Sequence, residues 1–354
     1  RRVIGFNNIE LITDRPLETN LDEIRQIKKD WPDRALVVSV MLPMNEGSWA
    51  KYLPMIEDTG CDAFELNFGC PHGMSERGMG AAVGQVPEYI RMATEWAKAA
   101  ASIPVIVKLT PNVTSIVPPA RAALDGGADA VSLINTINSI MRVDYDNLTM
   151  YPTTDGMGTH GGYCGEAVKP IALNMVAEIA RNAATSKLPI SGIGGVTDWR
   201  DGVDFLALGA STVQVCTAVM VYGVRIIDDL VDGLSTFLDD KGLTLDQLVG
   251  KAVPSVTDWQ HLNLNYVEKA VIDQDLCINC GRCHIVCEDT SHQAITSTVD
   301  GERRFEVIDD ECVGCNLCVS VCPVDSCITM KQVSADDDPK LNWTQHPNNP
   351  MRES

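Results

Sequence analysis

Eight of the thirteen cysteines stand at spacings suited to iron and sulfur. They read Cys277-x2-Cys280-x2-Cys283-x3-Cys287 and then Cys312-x2-Cys315-x2-Cys318-x3-Cys322-Pro323. Duplicate runs of this kind mark a two-cluster [4Fe–4S] ferredoxin domain, in which the fourth cysteine of each run ligates the other cluster. One cluster is therefore expected on Cys277, Cys280, Cys283 and Cys322, and the second on Cys312, Cys315, Cys318 and Cys287. The first run closes on Glu288 rather than proline, which changes a turn and removes no ligand. Cys327 is left over and is expected to pack against a cluster.

A second group lies in Ala63-Phe-Glu-Leu-Asn-Phe-Gly-Cys-Pro-His-Gly-Met74. Apolar residues alternate at Phe64, Leu66 and Phe68 and then give way to a Gly/Pro loop, so a strand should end near Gly69. Cys70 and His72 then offer a thiol and an imidazole at the carboxyl edge of a sheet, where parallel folds place their sites. That pairing suits acid/base work, although these residues alone are equally read as a buried thiol and a loop histidine. Asn67 adds an amide that donates and accepts, as recognition of an imide ring requires.

Other strand ends carry matching groups. Asn45 follows one strand and Asn135-Thr136 another, so that with Asn67 three asparagines converge on one mouth, a set suited to a planar heterocycle. Lys108 interrupts the apolar run Val105-Ile-Val-Lys-Leu109. A charge there needs an anionic partner, either a flavin or a buried carboxylate such as Glu65. Gly192-Ile-Gly194-Gly195 and Cys216-Thr217-Ala218 follow two late strands, where bare backbone N–H groups could hold a phosphate. The second of these is expected to lead into a helix beginning near Val221. A dinucleotide fingerprint fits worse, because the third glycine is missing at its spacing. His160 belongs to a long loop from about Ser139 to Gly165 that reads as a cover or cofactor wall, with His160 itself a surface residue.

These groups need a scaffold of parallel strands. Short β-branched runs fall at Ala35–Met41, Ala63–Phe68, Pro104–Leu109, Ala130–Ile134, Leu188–Ile193 and Thr212–Val215, with helical stretches such as Val86–Ala101, Ile116–Asp125 and Ile171–Ala184 between them. Such alternation gives an α/β fold, either an open doubly wound sheet or a (β/α)8 TIM barrel. The barrel is the reading adopted, with its N-terminal units missing from this sequence. Residues up to Asn20 are then connecting structure. The expected division is a barrel over 1–253, a connector over 254–270, the ferredoxin-like domain over 271–333 and an extended tail over 334–354.

With 354 residues, 45% of them hydrophobic, the chain can bury a large core. A net charge of -20 argues against nucleic acid or an anionic membrane as partners. No apolar run reaches the roughly 18 residues of a membrane helix. The sequence begins at Arg1 without a signal-peptide pattern and reads as a fragment. Cysteines committed to clusters rather than disulfides point to reducing cytoplasm.

Asn67-Phe-Gly-Cys70-Pro-His72-Gly-Met-Ser-Glu-Arg-Gly-Met79, Lys108-Leu-Thr-Pro-Asn-Val113, Asn135-Thr136, Gly194-Gly195 and the paired cysteine runs together closely resemble the dihydropyrimidine dehydrogenase family. The likeness reaches to about Val333 and is to the iron–sulfur, pyrimidine-reducing subunit of the two-subunit bacterial type. It implies FMN in the barrel and an NAD(P)-dependent oxidoreductase that reduces uracil or thymine to the 5,6-dihydropyrimidine, and the reverse. Electrons would come from a partner subunit carrying FAD and an NAD(P)H site, pass through the two clusters and reach FMN, whose N5 delivers hydride to C6 while Cys70 protonates C5. His72 would tune or orient that thiol. Carried over by position, the pyrimidine contacts are Asn45, Asn67, Phe68, Gly69, Asn135 and Thr136. The FMN contacts are Lys108, Gly165, Ile193, Gly194, Gly195, Cys216 and Thr217. Gly69 departs from a serine in the vertebrate pattern, and the first barrel segments, which supply further FMN contacts, are absent. Two rivals remain: a dihydroorotate dehydrogenase-like flavoenzyme, and an iron–sulfur electron carrier without catalysis.

Overall fold

Alternation along Ala63–Asn67 puts Phe64 and Leu66 on one face of a strand and Glu65 and Asn67 on the other. The computed structural model describes residues 3–9, 13, 15–70, 78–289 and 292–352, and in it Phe64 and Leu66 are wholly buried beneath helices. The strand is one of six in a parallel sheet: β1 (Val37–Val40), β2 (Ala63–Asn67), β3 (Val105–Lys108), β4 (Ala130–Leu133), β5 (Ile190–Ile193) and β6 (Thr212–Gln214). They lie side by side in chain order, every neighbouring pair parallel. A doubly wound sheet reverses its order at a switch point. This one never does, so its six strands follow the winding of a (β/α)8 barrel.

The outer face is apolar because helices cover it. Trp49 and Leu53 of α1 (Glu46–Glu57) and Ile90, Ala93 and Ala97 of α2 (Pro87–Ala100) share one core with Phe64, Leu66, Val105 and Val107. Local chemistry starts these helices: Asn45 caps the first through its side chain, and a proline opens the second. The inner face carries Glu65, Lys108, Ser132 and Gln214 instead, joined by hydrogen bonds.

Three expectations need correction. Residues before Asn20 are more than a connection, since Phe6–Asn8 is a strand paired antiparallel with Gly161–Cys164, which pairs in turn with Ile137–Ser139. The Ser139–Gly165 loop therefore contains a wall of sheet, while His160 is exposed as expected. The helix after β6 starts at Thr217 rather than Val221 and runs to Tyr222, because Cys216 already leaves the extended path. Among the described residues no helix is long and apolar enough to cross a membrane.

Thr257–Ser354 forms a second unit. Glu268–Ile272 pairs antiparallel with Ile328–Gln332, and the helices Arg282–Asp289 and Leu317–Val321 carry cysteines of the two runs. Its core is small: three of the seven buried members are Cys283, Cys318 and Cys327. The tail, expected to be extended, folds back within this unit. Leu264 N donates to Leu341 O at 2.6 Å, and the Trp259 and Trp343 rings stand 5.8 Å apart.

Candidate active site and cluster sites

The carboxyl ends of the strands surround a cavity of about 540 Å³, within the range of small-molecule sites. Lys108, Gly165, Ile193, Gly194, Gly195, Cys216 and Thr217 all line it, together with Asn135 and Thr136. Gly194 and Gly195 turn there with φ of 138° and 75°. A Cβ on Gly195 would stand 2.9 Å from the Gly165 carbonyl oxygen, so only bare backbone passes this point. Such a cradle, roomy and edged with exposed main chain, fits a flavin mononucleotide. Phe6, Asn7 and Tyr163 close its side from the antiparallel wall, where Asn7 Nδ2 donates to Ser139 Oγ at 2.6 Å. Phe6 and Asn7 leave no signal in the sequence, because a three-residue strand has no periodicity to detect.

An amide network sits beside this cavity. Asn135 Nδ2 donates to Asn67 Oδ1 at 2.9 Å, and Gly69 N donates to the same oxygen at 3.1 Å. Asn135 Oδ1 in turn accepts from Thr136 N at 2.8 Å. With Asn67 Oδ1 occupied twice, Asn67 keeps its Nδ2 hydrogens to offer to a carbonyl. Asn112 extends the network, donating to Thr136 O at 3.1 Å and accepting from Asn138 N at 2.9 Å. Its signal in the sequence is a polar residue just past a strand end, in Lys108-Leu-Thr-Pro-Asn112.

Other expected contacts stand elsewhere. Asn45 Oδ1 accepts from Ser48 N at 2.9 Å as a helix cap, and Asn45 is not among the cavity's lining residues. The Phe68 ring is buried in the core, its centroid 6.2 Å from that of Trp49, and Phe68 is not among the cavity's lining residues. Cys70 is half-buried, three residues past Asn67, and its carbonyl accepts from Ala81 N at 3.0 Å. It does not line the cavity. His72 lies outside the described residues.

Gly69 is packed against Asn135: a Cβ there would stand 2.4 Å from Asn135 Cβ and 2.5 Å from its Nδ2. A serine at this position needs Asn135 to sit elsewhere. Gly69→Ala should therefore break the Asn67–Asn135 hydrogen bond at an overpacking cost of about 1–3 kcal/mol. Steady-state kinetics should record a substrate KM raised about tenfold, and an unchanged KM would detach this amide pair from binding.

Of the two partners expected for Lys108, the structure shows the buried carboxylate. The Lys108 Nζ lies 3.1 Å from Glu65 Oε1, and its side chain also lines the cavity. Burial alone would raise the Glu65 carboxyl, but the Lys108 ammonium and hydrogen bonds from Ser132 and Gln214 outweigh it and hold the group below the usual carboxylate range.

In the second unit the cysteines gather around two cavities. Cys277, Cys280, Cys283 and Cys322 line one, with Cys327 beside them. Cys287, Cys312, Cys315 and Cys318 line the other. Left-handed backbone shapes both loops: Asn279 and Gly314 precede the second cysteine of each run with φ of 54° and 72°, and Gly281 and Asn316 follow it with 82° and 64°. Among the described residues no three His, Cys, Asp or Glu side chains are grouped to hold a single ion. A cubane instead takes four cysteines around four irons, as these sets of four provide. Burial pushes the Cys283 thiol up to about 11, so its thiolate form depends on a metal.

The family model described as dihydroorotate dehydrogenase matches residues 4–238, and that described as 4Fe-4S dicluster domain matches residues 270–330. The NAD-dependent dihydropyrimidine dehydrogenase subunit PreA of Escherichia coli (strain K12) is 39% identical over 331 residues, covering 93% of this chain and 80% of that protein. The chloroplastic dihydropyrimidine dehydrogenase (NADP(+)) of Arabidopsis thaliana is 42% identical over 276 residues, 77% of this chain and 64% of its own length. The crystal structure of a ligand-free DHODH from Eimeria tenella superposes with a TM-score of 0.53 at 19% identity, over 66% of this chain and 69% of that one, a likeness of fold.

Proposed function

Because this chain belongs to the dihydropyrimidine dehydrogenase family, an oxidoreductase family whose cofactors are FMN and two [4Fe–4S] clusters, we propose that it interconverts uracil or thymine with the 5,6-dihydropyrimidine. FMN, when bound, supplies the hydride donor and acceptor. Asn67, Asn135 and Thr136 orient the ring by its carbonyl and N–H groups, and the Cys70 thiol gives C5 its proton or takes it back. A thiol suits that exchange because its ordinary pKa, about 8.5, lies near working pH. Lys108, Gly194, Gly195, Cys216 and Thr217 hold the flavin. Electrons enter through the ferredoxin unit from a partner that binds FAD and NAD(P)H. The name of the Escherichia coli relative, a subunit, supports such a hetero-oligomer.

The observation that carries this reading is the Asn67–Asn135 amide pair, whose second member lines the cavity and whose first precedes Cys70 on the same strand end. A dihydroorotate dehydrogenase reading is favoured by the barrel's family model. Against it, the only lysine or arginine lining the cavity among the described residues is Lys108, already facing Glu65, so orotate's carboxylate finds no uncompensated cation. Full-length protein with its flavin reduced should be reoxidised by uracil or thymine faster than by orotate, by about 10²-fold. The reverse preference, followed by flavin absorbance under anaerobic mixing, would transfer the assignment to orotate chemistry.

A further inference from the structure

Glu65 lies on the inner face of β2, buried, two residues before Asn67. Its Oε1 faces Lys108 Nζ at 3.1 Å. Its Oε2 accepts from Ser132 Oγ at 2.8 Å and from Gln214 Nε2 at 3.0 Å. Gln214 Nε2 also donates to Ser191 Oγ at 3.0 Å, and that oxygen accepts from Thr212 Oγ1 at 2.8 Å. One carboxylate thus gathers side chains of β3, β4 and β6 and, through Gln214, of β5. Lys108 and Gln214 line the cavity, whereas Glu65 stands behind them.

Packing alone does not explain a carboxylate here. Barrel interiors are filled by branched aliphatic residues, and a buried ion pair adds less stability than apolar residues of the same volume. A flexible lysine on a cavity wall, by contrast, needs an anchor if its charge is to stay in one place.

We infer that Glu65 is a positioning residue, which fixes Lys108 and Gln214 at the cavity wall and offsets the Lys108 charge felt by the flavin. This rests on the reading that the cavity holds FMN. Flavin reduction adds negative charge, which a bare ammonium favours and a compensated one favours less. Glu65 therefore keeps the flavin a stronger reductant than Lys108 alone would allow.

The test is Glu65→Gln in full-length holoprotein, with the FMN midpoint potential read by spectroelectrochemistry and FMN affinity by titration of the apoprotein. The glutamine carbonyl still accepts a hydrogen bond and carries no charge. The potential should move positive, with FMN bound in its reduced form at least roughly tenfold more tightly relative to oxidised FMN than in the unaltered protein. Glu65→Asp, which restores the charge, should bring the potential back toward its original value, a rescue that a purely structural role would not give. Equal potentials in the unaltered and Glu65→Gln proteins would overturn the inference. Should Glu65→Gln fail to fold, exchanging Lys108 and Glu65 together for glutamine leaves no lone buried charge. The potential of this double variant should lie above that of Lys108→Gln alone, in which the carboxylate remains, and equal potentials in that pair would count equally against the inference. Unaltered protein that carries no flavin at all would instead refute the functional reading on which the inference depends.

Discussion

Replacing Cys70 with alanine in the full-length protein is expected to lower pyrimidine turnover by about 10²–10⁴-fold, the usual contribution of a positioned acid or base. On the proposed electron route, flavin reduction should keep its rate, because that route does not pass through the thiol. Its carbonyl is pinned by Ala81 N at 3.0 Å, so truncating the side chain leaves the strand end anchored. Stopped-flow measurement of the two half-reactions separates these effects. Turnover at the ordinary rate in the variant would remove Cys70 from the mechanism, and equal losses in both half-reactions would mean damage to the flavin site.

Changing Cys287 to alanine should halve the iron content and abolish the electron paramagnetic resonance signal of one cluster, the same signal that Cys315→Ala removes. Cys322→Ala should instead remove the signal lost in Cys280→Ala. The prediction follows from the two cavities, each lined by three cysteines of one run and the fourth of the other. Nearest neighbours in sequence would pair Cys287 with Cys283, so the experiment separates crossed from local ligation. If Cys287→Ala abolished the Cys280 signal, the crossed assignment would fail. Each loss should also destabilise the unit, since its core depends on buried cysteines and metal binding supplies folding energy in domains this small.

The parts of the fold that were legible in sequence are those with a repeating signal. Six β-branched runs separated by amphipathic stretches gave the parallel sheet, and the chain-order winding then decided between barrel and doubly wound sheet, which spacing alone leaves open. The cysteine runs were legible because ligand spacing is itself the constraint. Short or solitary features were not. Phe6–Asn8 has three residues and a partner more than 150 positions away, so nothing local marks it as a strand. Asn45 looked like its two fellow asparagines, yet a helix start two residues before Ser48 claimed its side chain. Phe68 sits in a motif of contacts, but strand alternation had already assigned its ring to the core. Glu65 and Gln214 each stood as a polar residue among apolar neighbours in the sequence. What could not be read there was that Gln214 Nε2 donates to a Glu65 oxygen across the sheet.

The inner ladder has a consequence for how reliably the chain finds its fold. Asn67 pairs with Lys108, and Lys108 with Ser132, so the ion pair and its hydrogen bonds form only in this alignment of three strands. Side chains alternate with a period of two, so sliding β2 by a single residue would turn Phe64 or Leu66 toward the cavity and drive the Glu65 carboxylate among the helices. Parallel strands rich in valine and isoleucine are otherwise nearly interchangeable along their length. A lone acid among them works as a proofreading mark, penalising every misaligned assembly far more heavily than it rewards the correct one.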